Sequence, residues 1–81
     1  MKFYIDTIEQ IKGEEEGTYT EYGKREQKAD EQTALTAFYK KLSDVAAAIG
    51  KTHTYMDIKI TNSEGGCIKK DSVGTYVEVD Q

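Results

Sequence analysis

The residues that could carry chemistry are few, and their spacing works against it. Cys67 and His53 are the only cysteine and the only histidine in the chain, and a thiol nucleophile needs its base within roughly 3 Å. Asn62, Ser63, Glu64, Gly65 and Gly66 form a turn signal between two strand-like segments, which sets Cys67 opposite Thr61. His53 then lies about 27 Å along the strand at ~3.4 Å per residue. Cys67 reads as a small packing residue beside a turn, and His53 as a solvated strand end. A structural zinc needs about four Cys or His ligands, more than the chain holds. Glu14, Glu15 and Glu16 are adjacent carboxylates without the alternate spacing and central glycine of a calcium loop, so they read as a self-repelling hairpin tip. Gly65 and Gly66 lie between strands and do not open a helix, which denies them the geometry of a phosphate cradle. No acid/base pair stands out among the fifteen Asp and Glu residues. The expectation is a non-enzymatic protein with no cofactor and no metal.

Composition bounds what can hold such residues. Eighty-one residues make one small domain, 1–81. With 37% hydrophobic and 32% charged residues and a mean hydropathy of -0.71, its core must be thin. The net charge of -4 is concentrated in residues 1–32, and Lys40 with Lys41 and Lys69 with Lys70 are only pairs. That argues against nucleic-acid binding, which draws its affinity from many neutralised phosphates. No apolar run reaches the roughly 18 residues of a membrane span, and no signal-peptide pattern opens the chain. A lone cysteine cannot form an internal disulfide. The chain reads as cytoplasmic.

Periodicity supplies the elements. Leu35, Phe38, Leu42, Val45 and Ile49 recur at three- and four-residue steps, one stripe of a helix over residues 31–49. Asp30 suits the N-cap, and Gly50 the left-handed stop. Met56, Ile58 and Ile60 alternate with polar neighbours, the period of a strand buried on one side. Residues 67–70 form the second arm of a hairpin, Asp71, Ser72 and Gly74 mark a bend or bulge, and Val77 and Val79 alternate in a last strand over residues 75–79. At the front, Phe3 and Ile5 alternate with Tyr4 and Asp6, while Ile8 and Ile11 fall out of phase and suggest a bulge near Asp6 and Thr7. Residues 18–22 have high strand propensity, and residues 24–28 read as a polar connection. The order is that of an α+β domain, ββαββ-like, with an antiparallel sheet of four to five strands and one amphipathic helix on one face.

One helix covers one face, so the other is wet or occupied. If Phe3, Ile5, Met56, Ile58, Ile60, Val77 and Val79 face the helix, then Tyr4, Tyr55 and Tyr76 share the opposite face with Asp57, Lys59 and Glu78. Tyrosine serves there either as a good strand residue on a solvated sheet or as an interface residue, offering large area at little rotamer entropy. Candidate partner-binding residues are therefore Tyr4, Tyr55 and Tyr76, with Glu14, Glu15 and Glu16 facing a basic surface.

The stretch YMDIKITNSEGG, residues 55–66, following an amphipathic helix and two strand-like segments, resembles the small acidic accessory proteins of bacteriophages and mobile elements. That group includes anti-CRISPR and other anti-defence inhibitors and minor virion proteins. What the resemblance implies is a phage-encoded binder that occupies a surface of a host protein in the host cytoplasm; it brings no site residue with it. Two functions compete on these readings: a hetero-binding module, and a self-assembling protein such as a homodimer, with a small ligand held between subunits as a variant of the second.

Overall fold

The structure, a computed structural model, describes residues 1–78. In chain order it holds β1 (Phe3–Lys12), β2 (Tyr19–Lys28), α1 (Glu31–Ala48), β3 (His53–Asn62) and β4 (Cys67–Gly74). The strands form one antiparallel sheet in the order β2-β1-β3-β4, with the helix laid on one face: the ββαββ α+β arrangement. The slab measures 43 × 26 × 16 Å, two layers and no more. The sequence readings of the helix and of the β3–β4 hairpin hold. Asp30 accepts from the amide of Thr33 at 2.7 Å, Gly50 takes φ 84° just after the C-cap, and Thr61 faces Cys67. Cys67, however, is exposed and is not a packing residue.

The core is the seam between α1 and the two central strands. Ala34, Phe38 and Val45 from the helix meet Ile5, Met56, Ile58 and Ile60, all buried, with Phe3, Leu35, Leu42, Ile49 and Val73 packed around them. Phe38 has no exposed surface, and burying such a side chain is worth about 2 kcal/mol or more. The stripe read from the sequence therefore does bury against a sheet, and Ala34 is fully buried beside it.

Three readings change. Residues 24–28 are not a connection: β2 runs on to Lys28, paired residue by residue with β1. As an edge strand that the helix covers only marginally, it buries little, and its second half can be polar on both faces. No bulge lies at Asp6 and Thr7. The register shift is between Gln10 and Ile11, where Thr54 is the extra residue opposite, so β1 alternates without a break from Phe3 to Gln10. Thr7 and Glu9 then point to the helix side, and Ile8 to the open face, where it is 47% exposed. Finally, β4 extends through Asp71 and Ser72 to Gly74, and residues 75–78 leave the ladder instead of adding a fifth strand; Val79 lies outside the described residues. Gly74 has φ 82°, and a Cβ there would meet the carbonyl oxygen of Thr54. Glycine is what lets the chain turn away at that point.

Candidate protein interface on the open sheet face

On the uncovered face, alternation places Tyr4, Asp6, Ile8 and Gln10 of β1 beside Gln27, Arg25, Gly23 and Glu21 of β2 on one side. On the other side stand Thr61, Lys59, Asp57 and Tyr55 of β3. β4 adds Lys70 opposite Lys59 and Ser72 opposite Asp57. Strand parity thus sets Tyr4, Tyr55, Asp57 and Lys59 on the open face, as read from the sequence. It separates the tyrosines as well: Tyr4 and Gln10 stand at opposite ends of β1, about 20 Å apart at ~3.3 Å per residue.

The two ends are fixed by different contacts. At the Tyr4 end, Arg25 grips Asp6 through Nε at 2.6 Å and Nη2 at 3.0 Å, and its guanidinium carbon lies 4.8 Å from the Tyr4 ring centroid. The Arg25 hydrogen bond holds the Asp6 carboxyl below the usual carboxylate range against the burial that raises it, and Thr61, donating at 3.0 Å, adds to the lowering. At the Tyr55 end, residues 75–78 cross the sheet as a strap. The side chain of Gln10, 2% exposed, holds Val77 by both backbone groups: Nε2 donates to its carbonyl at 2.7 Å and Oε1 accepts its amide at 2.8 Å. Thr54 donates to the same Oε1 at 2.6 Å. The strap delivers Tyr76 to Tyr55 edge to face, centroids 5.8 Å apart at 88°. The Tyr76 hydroxyl donates to Glu21 at 2.6 Å, and that bond raises the phenol above its ordinary pKa.

Between the ends lies a shallow depression of about 230 Å³ lined by Asp6, Ile8, Arg25, Asp57 and Lys59. It falls below the roughly 300 Å³ of ordinary ligand pockets and suits a protruding side chain. Ile8 stands exposed within it because its neighbour on β2 is Gly23, which has no side chain to cover it. Lys59 and Lys70 are directly opposed like charges, and neither joins an ion pair among the described residues. Such a pair costs stability unless an anion comes between.

Glu14, Glu15 and Glu16 are exposed in the β1–β2 loop, at the same end of the sheet as Tyr55 and Tyr76. There the Glu15 carbonyl accepts from the amide and hydroxyl of Thr18. The structure therefore brings Tyr55, Tyr76 and the acidic loop to one end and leaves Tyr4 at the other. Sequence reading missed Ile8, Gln10 and Arg25. Gln10 in strand phase with Tyr4 was the available signal, but its strap partner is sixty-seven positions away.

The helix side holds a second polar cluster that the sequence concealed. Glu9, 1% exposed, accepts from Lys41 Nζ at 3.1 Å and from His53 Nε2 at 3.0 Å. His53 is mostly buried rather than solvated, because β3 begins beneath the helix end and aims the ring inward; its Nδ1 faces the Thr52 hydroxyl at 3.0 Å. Burial, then the Glu9 carboxylate, raises the Tyr22 phenol. Hydroxyl, imidazole and carboxylate in series resemble a nucleophile relay. Yet the amides of Gly50, Lys51 and Thr52 are all spent on His53 and Ala48 carbonyls, so none of the three is free to steady an oxyanion. The cluster braces the helix end to β1 and β3. Among the described residues, no group of three or more His, Cys, Asp or Glu side chains is placed to hold a metal ion, and no helix is long and apolar enough to cross a membrane.

The chain matches no protein-family model, and no curated protein and no solved structure was matched to it.

Proposed function

We propose that the protein is a small non-catalytic binding module whose open sheet face docks on another protein, in the manner of an inhibitor that works by covering a surface. The observation that carries this reading is the preorganised ridge of Tyr55 and Tyr76 beside exposed Ile8. Locked aromatic rings and a bare aliphatic side chain supply apolar area with little ordering left to do on binding. The flanking charges define the partner. A carboxylate between Lys59 and Lys70 relieves their repulsion, and a basic group meets Glu14, Glu15 and Glu16, steering encounter and fixing orientation. The likeness of residues 55–66 to phage accessory proteins points to a host protein as the target.

Affinity capture from a lysate of the organism that carries the sequence tests this, using wild type beside Ile8→Glu and Tyr55→Ala. Both changes sit on exposed or half-buried positions of the open face, so thermal melting should report an intact fold. Retention of one stoichiometric partner should fall about 30-fold, the ~2 kcal/mol of a hot-spot truncation. A partner held equally by all three proteins would remove the open face from the function.

A further inference from the structure

The two edges of the sheet are built differently. β4 is the shorter strand, slips in register between Ile60 and Thr61, carries adjacent Lys69 and Lys70 and ends on a positive-φ glycine. Shortness, irregular register and lysines are what keep an edge from pairing. β2 carries lysines too, but it is long and regular. It runs for ten residues in one unbroken register with β1, from Lys12↔Tyr19 to Phe3↔Lys28, with no positive-φ residue and no proline. Its outer side meets no other strand among the described residues. At the hairpin mouth Gly13 donates to the Thr18 carbonyl at 2.7 Å, while the Lys12 amide turns the other way, to Thr52. Alternation along an antiparallel ladder then sends the N–H and C=O groups of Tyr19, Glu21, Gly23, Arg25 and Gln27 to the free edge.

We propose that β2 pairs with β2 of a second copy, antiparallel about a two-fold axis through Gly23, so that two four-stranded sheets become one. The axis brings like faces together and keeps both helices on one side. The charges choose the register. Centred on Gly23, Glu21 opposes Arg25 of the second copy, Arg25 opposes its Glu21, Tyr22 opposes its Lys24, and the two glycines let the backbones meet unobstructed. Centring on Lys24 or on Arg25 sets like charges directly against each other, at a cost. Centring on Tyr22 leaves Glu21 facing a glycine. Both partners have capacity to spare: Arg25 spends Nε and Nη2 on Asp6 and keeps Nη1, and Glu21 takes the Tyr76 hydroxyl on Oε2 and keeps Oε1. This pairing leaves the open face free and duplicates it, and it holds whether or not that face binds a partner.

Light scattering of wild type should give twice the 9.1 kDa chain mass. Glu21→Lys alone sets Lys against Arg25 and should be a monomer; Arg25→Glu alone sets Glu against Glu21 and should be a monomer too. Mixed in equal amounts they form two attractive pairs, and the doubled mass should return, with circular dichroism reporting the fold of each variant. Wild type supplies an independent readout, since the amides of Glu21, Gly23 and Arg25 should exchange more slowly as concentration rises. A wild-type mass that stays at 9.1 kDa up to about 1 mM, or single variants that keep the doubled mass, would overturn the proposal.

Discussion

Replacing Gln10 by Val removes the hold of β1 on the strap while leaving a residue that strands favour. The amide of Gln10 makes two hydrogen bonds to Val77, each worth about 1 kcal/mol net of its exchange with water. Thr54 keeps a bond to the Gln10 carbonyl, so no buried hydroxyl is stranded by the change. The attachment of residues 75–78 should weaken by about 2 kcal/mol, roughly 30-fold in the ratio of attached to detached strap. Hydrogen exchange read by NMR measures that ratio directly. The Val77 amide should exchange about 30-fold faster, the Tyr55 and Tyr76 rings should lose their mutual contact, and the amide of Ile58, at the sheet centre, should change far less. If Val77 exchanges at the wild-type rate and the ring contact persists, something other than Gln10 holds the strap, and the preorganisation of the tyrosine pair has been wrongly explained.

Phe38→Ala, at a fully buried position, should cost about 3–5 kcal/mol, a large part of the stability of so small a domain, read as the midpoint of denaturant unfolding. Glu9→Ala leaves Lys41 and His53 facing an empty polar site and should cost about 3 kcal/mol, whereas Lys40→Ala, at an exposed i,i+4 pair with Asp44, should change the same midpoint by less than about 0.5 kcal/mol. Asp6 ionises more readily in the fold than in the unfolded chain because Arg25 stabilises its charge. Its contribution to stability is therefore present above the unfolded carboxylate value of about 4 and is lost as pH falls through the lower folded value. Arg25→Gln should raise the carboxyl's NMR titration midpoint toward the ordinary value, and an unmoved midpoint would contradict the assigned cause.

The helix and the β3–β4 hairpin were legible because burial there is one-sided. Phe38, Val45, Met56, Ile58 and Ile60 each occupy the phase their element predicts. The second half of β2 was hidden because an edge strand at the margin of the helix buries little, and Lys24, Glu26 and Lys28 satisfy one another along it. Ile8 and Glu9 inverted the expected pattern for a related reason. Glu9 can be buried only because Lys41 and His53 arrive from α1 and β3, and no local pattern in β1 announces them. Of the candidate site, the shared face of Tyr4 and Tyr55 was readable from strand parity. The placing of Tyr76 was not, since it depends on a glycine exit at Gly74 and on Gln10 reaching across the chain.

The most direct test of the open face is an NMR titration of isotope-labelled protein with the captured partner, following side-chain signals. The Ile8 methyls and the Tyr55 and Tyr76 rings should shift or broaden in step with partner concentration, while Tyr39 and Val45 on the helix stay in place. Shifts at Tyr39 and along the outer face of α1, with Ile8, Tyr55 and Tyr76 unmoved, would contradict the account and transfer the binding surface to the helix.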